Sequence, residues 1–303
     1  MLKYSIKRII LALVTVFIIA AITFFAMNAI PGGPFAKEKA PEPRVQAVLE
    51  ARYNLNKPVH EQFILYLGNL LRGDFGVSLK TGREISQTIF TSFGVSARLG
   101  GMAIITALVF GLLLGSIAAL RRGRAADRFI IFMTTLFVAV PSFILATLLL
   151  LIFTNTLGWV QAWNISKPNY VLPVISLALY PMSYITRLTK SSMLDVLGQD
   201  YIRTARAKGV KEQLVIAKHA LRNALIPVVT YVGPLTAYIL TGSLVVETVF
   251  TIGGLGTHFV SGINNRDYPM VMGTTIFLAT LMVVMTLLSD LLYKAIDPKI
   301  SFD

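Results

Sequence analysis

The chain has 303 residues, of which 55% are hydrophobic and 14% charged, a composition too apolar for a soluble domain. Its formal net charge of +13 would suit nucleic acid if the basic residues formed a patch on a soluble domain. They lie instead between long apolar runs, so nucleic acid is not the expected partner and membrane lipid is. The absence of cysteine excludes disulfides, thiolate metal sites and cysteine nucleophiles.

The first apolar run, residues 9–30, follows a short basic N-terminus. At about 1.5 Å per residue it extends about 33 Å, enough to cross a hydrocarbon core of about 30 Å. It is longer than the apolar region of a cleavable signal peptide, and no clear A-x-A cleavage site follows it. We therefore expect residues 1–30 to be the N-terminus and an uncleaved first transmembrane helix.

Residues 31–96 differ from the rest of the chain, because they are polar and carry charges of both signs. Pro58 begins a predicted helix with four apolar residues at helical spacing: Val59, Phe63, Leu67 and Leu70. A second short run, 83–93, leads to the next span. The segment is either a plain connecting loop or, as its regular amphipathic pattern favours, a small extracytoplasmic helical insertion.

Five further apolar runs predict spans near 99–120, 129–157, 171–188, 225–249 and 270–292, which makes the fold all-α with six transmembrane helices. The second span contains the pattern Gly111-x-x-x-Gly115, typical of helices that pack closely in lipid. Three prolines interrupt the third and fourth spans and predict helix kinks: Pro141, Pro173 and Pro181. Such kinks are either architectural or points of flexure.

The charges of the short loops predict the orientation of the chain. Residues 121–128 and 200–223 are rich in Lys and Arg, whereas the loops near 158–170 and 251–269 carry only Lys167 and Arg266. The positive-inside rule places the basic loops, and with them both termini, in the cytoplasm.

The chemistry within the chain is sparse. Its three histidines have no metal-ligand spacing, and no phosphate-binding loop is present, so we predict no catalytic residue, no metal site and no cofactor bound by this chain. Three charged residues, Arg98, Glu247 and Asp290, lie near span ends, where headgroups or water would solvate them.

Three alternative classes are weighed against this pattern. The lack of midplane carboxylates argues against an ion-coupled secondary transporter. His219 and His258 fall on opposite sides of the membrane in the predicted topology, which argues against an intramembrane enzyme. A structural membrane scaffold would not need the pattern of residues at 203–209, in the polar segment that follows the fourth span.

That segment, 200–227, is the longest basic interruption in the second half of the chain. Asp200 is expected to cap a short helix that ends at Gly209, a residue that takes a left-handed conformation at low cost. A second helical run, 211–223, follows. A short helix with small residues and surrounding charge either lies on anionic lipid or docks in a cleft of another protein.

The letters RTARAKG, followed by HALRNALIPV, resemble the E-A-A-x-x-x-G signature of ABC importer permeases as the oligopeptide and dipeptide branch writes it. Arg203 and Thr204 replace the acidic residue and the first alanine, and Arg222 stands where a proline is usual. The resemblance implies a coupling helix that docks on an ATPase subunit through Arg203, Thr204, Ala205, Arg206, Ala207, Lys208 and Gly209.

Residues 246–256 and 265–268 resemble the outer segment between the last two spans of oligopeptide permeases. A simple turn is the alternative interpretation. The resemblance implies that this segment lies at the outward mouth, near the docked receptor, with six residues of interest: Glu247, Gly253, Gly254, Gly256, Asp267 and Tyr268. Residues 293–298, YKAIDP, are similar to the closing motif of the same family.

Together these motifs identify the chain as a member of the oligopeptide ABC importer family, resembling its B-type permease subunit. The resemblance implies a type I importer fold with a permease core at 97–303, located in the bacterial inner membrane. It also implies a homologous second permease, two ABC ATPases that hold ATP and Mg, and an extracytoplasmic peptide-binding protein. Related systems that carry dipeptides, glutathione or nickel chelates remain open alternatives.

Overall fold

The computed structural model describes residues 2–31, 33, 56–240 and 244–296. Within these ranges the chain is helical, with an isolated β-bridge between Val77 and Glu84 and no strand. The helices in chain order are α1 (Leu2–Asn28), α2 (Val59–Leu70), α3 (Ile85–Leu120), α4 (Ala125–Ala139), α5 (Ser142–Leu149), α6 (Val171–Leu197), α7 (Asp200–Ala207), α8 (Glu212–Leu214), α9 (Arg222–Ala224), α10 (Ile226–Leu240), α11 (Leu244–Val249), α12 (Leu255–Asn265) and α13 (Tyr268–Ile296). Two π-helical segments, Leu150–Thr156 and Val215–Leu221, follow α5 and α8.

Five helical segments are long and apolar enough to cross a membrane: Arg8–Asn28, Ile85–Leu120, Val171–Leu197, Ile226–Val249 and Tyr268–Ser289. The segments Ala125–Ala139 and Ser142–Thr156 make a sixth span if they cross as one unit, but they are bent by 105°. The all-α membrane fold is thus confirmed. The third predicted span, near 129–157, is interrupted at Pro141, where the sequence predicted a kink.

The three prolines that were predicted to kink helices differ in their effect. Val140, before Pro141, has φ −84° and ψ 127°, the extended conformation that a following proline favours, so α4 ends there. Pro181 lies inside α6 without ending it. Pro173 is the third residue of α6, and the prediction that it interrupts the span is wrong. A backbone N–H in the first turn of a helix has no helical acceptor, so a proline there removes no hydrogen bond.

The described chain divides into two compact units. One comprises residues 1–95 and 253–287, and here α2 packs on α1 as its apolar spacing predicts. Phe63 is buried, and its ring centroid lies 5.1 Å from that of Phe24. Since α3 begins at Ile85 and runs to Leu120, the predicted short run 83–93 is the start of a long helix and not a separate element. Residues 34–55 of the predicted insertion lie outside the described residues.

The other unit comprises residues 96–252 together with 288–300. Here the Gly111-x-x-x-Gly115 pattern serves close packing, as predicted. A Cβ atom on Gly111 would lie 2.7 Å from Ile185 Cγ2, and one on Gly115 would lie 2.6 Å from the backbone oxygen of Thr186. An ion pair joins α6 to α4, since Lys190 Nζ of α6 donates to Asp127 Oδ1 of α4 at 2.5 Å. These contacts hold α3, α4 and α6 together.

Candidate functional site

The segment for which a coupling role was predicted, residues 200–223, begins with helix α7. Its N-cap is Gln199 in an extended conformation, with no side-chain capping hydrogen bond. Asp200 is the first helical residue, and its Oδ1 accepts from Arg203 Nη1 at 3.4 Å. The prediction that Asp200 caps the helix is therefore wrong by one position. Its carboxylate still lies in the first turn, where a negative charge interacts favourably with the helix dipole.

Gly209 ends this helix as predicted. Its φ is +76°, in the left-handed region, and its N–H donates to Arg206 O at 2.9 Å. The next N–H, from Val210, donates to Ala205 O at 3.2 Å. The following run is helical over much of 211–223, although residues 215–221 form a π-helix.

The two faces of α7 differ sharply. Ile202 and Ala205, three residues apart and on one face, are buried in an apolar cluster of the same chain. The other members of that cluster are Ala119, Met193, Val215, Ala220 and Ala224. The predicted docking role requires Ala205 to face outward, and this is wrong because its side chain faces the interior of its own subunit. Six predicted docking residues are exposed: Arg203, Thr204, Arg206, Ala207, Lys208 and Gly209.

Sequence reasoning missed two polar contacts that stabilise the segment. Arg206 donates to both carboxylate oxygens of Glu212, from Nη2 at 2.6 Å and from Nε at 3.1 Å. This bond from Arg206 holds the pKa of Glu212 below its ordinary value. Asn223 Nδ2 donates to the Tyr201 hydroxyl oxygen at 2.9 Å. The contacts close the turn at Gly209 and tie its two helical runs together.

Glu247 is fully buried in α11, and the Ser96 hydroxyl donates to its Oε1 at 2.8 Å. The expectation that headgroups or water solvate this carboxylate is wrong, because a hydroxyl of the same unit meets it in the interior. Arg98 is exposed, and the side chain of Asp290 lies outside the described part. The assignment of Glu247 to the outward mouth stays a prediction.

The remaining residues of the predicted outer segment belong to the other unit. Gly253 is exposed and Gly254 precedes α12, while Gly256 is buried within it. Asp267 and Tyr268, at the start of α13, are buried. The turn is therefore present, and whether it faces a receptor stays a prediction.

Asp267 connects this segment to the loop before α3. Its Oδ2 accepts from the Ser78 hydroxyl at 2.5 Å, and its Oδ1 accepts from the Leu79 N–H at 3.1 Å. Both oxygens of the Asp267 carboxylate thus accept hydrogen bonds from residues of the same unit.

Three other features bear on chemistry. No group of three or more His, Asp or Glu side chains that could hold a metal ion occurs in the described residues. Burial, with a smaller contribution from Arg83, lowers the pKa of His258. An open cavity of about 700 Å³ lies between α3 and the loop before α6, and is lined in part by Met102, Ile105 and Lys167.

The fold is shared with a solved chain of an ABC transporter. A solved structure of the MetNI methionine ABC transporter in its inward-facing conformation matches with a TM-score of 0.56 at 17% identity. The match covers 69% of this chain and 96% of that one. At this identity the likeness concerns the fold alone.

The chain belongs to the family described as binding-protein-dependent transport system inner membrane component, whose model matches residues 111–302. The N-terminal model of the same systems matches residues 1–99. The dipeptide transport system permease protein DppB of Bacillus subtilis (strain 168) is 46% identical, over 99% of this chain and 98% of its own length. The oligopeptide transport system permease protein OppB of Haemophilus influenzae is 44% identical over the whole of both chains. The resemblance to the oligopeptide and dipeptide branch is confirmed.

Proposed function

We propose that this chain is the membrane-spanning permease subunit of an ATP-driven oligopeptide importer and forms half of its translocation pathway. Full-length similarity to permeases named for oligopeptide and dipeptide transport supports the substrate class. The observation that carries the mechanism is the two-faced helix α7. One face is fixed in the apolar core of the subunit, and the other is exposed and basic.

A helix with one buried face and one exposed face can transmit movement from a bound partner to the rest of the subunit, which is the role of a coupling helix. Because Ile202 and Ala205 hold α7 to α6 and to the following helical run, a displacement of α7 would be passed to the membrane helices. The exposed residues offer two arginines and a lysine around the small side chain of Ala207. We expect this face to dock in a cleft of a cytoplasmic ABC ATPase.

The complete transporter contains, in this proposal, a homologous second permease, two ATPases and an extracytoplasmic peptide-binding protein. ATP and Mg bind to the ATPases, and this chain has no catalytic role. Closure of the ATPases displaces the two coupling helices and opens the central cavity outward, and hydrolysis restores the inward state. Both termini lie in the cytoplasm of a bacterium whose inner membrane holds the complex.

Dipeptide import is the second candidate, favoured by the name of the Bacillus subtilis relative. Peptide length distinguishes the two. The complex with its receptor, reconstituted in liposomes, should take up radiolabelled tetra-alanine with ATP hydrolysis if the substrate is an oligopeptide. Uptake of dialanine alone would favour the dipeptide system.

The docking role is tested by Ala207→Trp. Added bulk at a packed interface typically costs about 1–3 kcal/mol, which would lower association about 5- to 150-fold. The measurement is the amount of ATPase retained by tagged permease on pull-down. Ala205→Trp is a poorer test than Ala207→Trp, because Ala205 packs inside its own subunit.

Ala125→Trp serves as the matched control, since Ala125 is an exposed alanine at the start of α4, in the other basic segment. It should retain the ATPase as the unsubstituted chain does. If Ala207→Trp also binds the ATPase normally and supports uptake, α7 is a lipid-facing basic helix and the docking proposal is wrong.

A further inference from the structure

The connection between α3 and α4 concentrates positive charge. Helix α3 ends at Leu120 and α4 begins at Ala125. Residues 121–128, which we call the arginine turn, contain one acidic residue, Asp127, and four arginines: Arg121, Arg122, Arg124 and Arg128. All four arginines are exposed.

Hydrogen bonds fix the backbone of the arginine turn. Gly123 has φ +78°, in the left-handed region, and its N–H donates to Asp127 Oδ2 at 2.9 Å. The N–H of Arg124 donates to Arg121 O at 3.0 Å. The other carboxylate oxygen of Asp127 accepts from Lys190 Nζ of α6. The turn therefore has a defined shape and is anchored to a third helix, so its arginines extend from a fixed backbone.

The four arginines have no counter-ion within the described part of the chain. The buried carboxylate of Asp127 already accepts from two other donors, although Arg122 interacts with it electrostatically. None of the four guanidinium groups forms an ion pair or a hydrogen bond with a described residue. By contrast, Arg203 and Arg206 of α7 each pair with an acidic residue of their own segment. The arginine turn is therefore free to bind an anion from outside the chain.

The length of the connection places this charge at the membrane surface. Helix α3 is long and apolar enough to cross the membrane, and only four residues separate it from α4. The headgroup region on each side of the hydrocarbon core is about 5–8 Å thick. A turn this short cannot extend far beyond the headgroups, so its arginines lie at the level of the lipid phosphates.

Exposed apolar side chains flank the turn on its membrane side. Ile117 and Leu120, in the last turn of α3, are 40% and 46% exposed. Phe129 and Phe132, near the start of α4, are 63% and 62% exposed. An anion that carries acyl chains matches both parts of this surface, whereas a soluble phosphate matches the arginines alone.

We propose that the arginine turn binds an anionic phospholipid. Its guanidinium groups hold the lipid phosphate, and the acyl chains lie along the exposed apolar residues of α3 and α4. A planar guanidinium donates two parallel hydrogen bonds to a phosphate, and clustered basic residues beside a membrane helix attract anionic lipid. An ATPase is a poorer occupant, because a soluble protein meets the headgroups before it meets the turn. The inference goes beyond the proposed function and does not depend on which substrate is carried.

The test uses the full chain purified in detergent and titrated with phosphatidylglycerol, an anionic phospholipid, with bound lipid counted by native mass spectrometry. We expect phosphatidylglycerol to bind in preference to the zwitterionic phosphatidylcholine. Arg121→Gln combined with Arg124→Gln should lower the affinity about 30-fold, which is about 2 kcal/mol at about 1 kcal/mol for each basic residue. Glycerol 3-phosphate has the phosphate without acyl chains and should not displace the lipid at equal concentration.

A matched control removes the same charge elsewhere. Lys57→Gln combined with Arg72→Gln neutralises two exposed residues of the polar segment before α3. This pair should leave the affinity for phosphatidylglycerol unchanged. If the Arg121 and Arg124 variant does not elute as a single species on gel filtration, Arg121→Gln combined with Arg128→Gln takes its place.

The other outcomes overturn the proposal. Equal affinity in the unsubstituted chain and the arginine variant, or no preference over phosphatidylcholine, would show that the turn does not select this lipid. An equal loss in the control would show that net charge, and not the turn, attracts it. Displacement by glycerol 3-phosphate would make the turn a site for soluble phosphates. Unchanged lipid binding with less ATPase retained on pull-down would make it part of the ATPase-docking surface.

Discussion

At the scale of single residues, the carboxylate of Asp267 stabilises the loop before α3. It accepts two hydrogen bonds from the loop before α3, from Ser78 and Leu79. Asp267→Ala would leave both donors without this acceptor, at a cost of about 1–3 kcal/mol. Trypsin cleavage after the exposed residues Lys80 and Arg83 should then accelerate at least about five-fold in the detergent-solubilised chain, since cleavage follows the open population.

Asp74→Ala provides the control for this prediction. Asp74 is exposed, and its carboxylate accepts from Gly76 N within the same turn. The substitution should therefore change the cleavage rate little. Equal rates for the two variants would mean that Asp267 does not hold the loop.

At the scale of helices, α3 and α6 approach closely because α3 carries glycine at the contact. A methyl group at Gly115 would lie 2.6 Å from a backbone oxygen of α6, which cannot rotate away as a side chain can. Gly115→Ala should therefore separate the helices, cost about 1–3 kcal/mol and lower the melting temperature of the purified chain. Gly101→Ala, on the same helix with open space around it, should leave the melting temperature unchanged or slightly higher. A melting temperature for Gly115→Ala equal to that of Gly101→Ala would contradict this packing role.

At the scale of the whole molecule, the testable property is which loops face the cytoplasm. The chain has no native cysteine, so single introduced cysteines can be labelled without background. The loop charges predict that Lys57→Cys reacts with an impermeant thiol reagent in intact cells. Arg124→Cys and Lys211→Cys should react after permeabilisation and not before. Labelling of Lys211→Cys in intact cells would overturn both the topology and the docking of α7.

Local features of the sequence were sufficient to predict most of the helices and the C-terminal end of α7. Apolar runs predicted the spans because lipid requires a continuous apolar surface and internally bonded backbone. The spacing of Phe63 with its neighbours predicted α2, and Gly209 predicted the end of α7. These predictions succeeded because each depends on residues within one or two turns of one another.

The tertiary structure alone decided which side chains face inward. The buried carboxylate of Glu247 accepts a hydrogen bond from Ser96, 151 residues away, and Ala205 is buried in a cluster with residues of other helical segments. Pro141 breaks a span whereas Pro181 leaves α6 continuous, although both are prolines in apolar runs. The stack of Tyr184 on Tyr231 likewise joins two helices. Hydropathy and helical spacing cannot predict such contacts, since they depend on which helices become neighbours after folding.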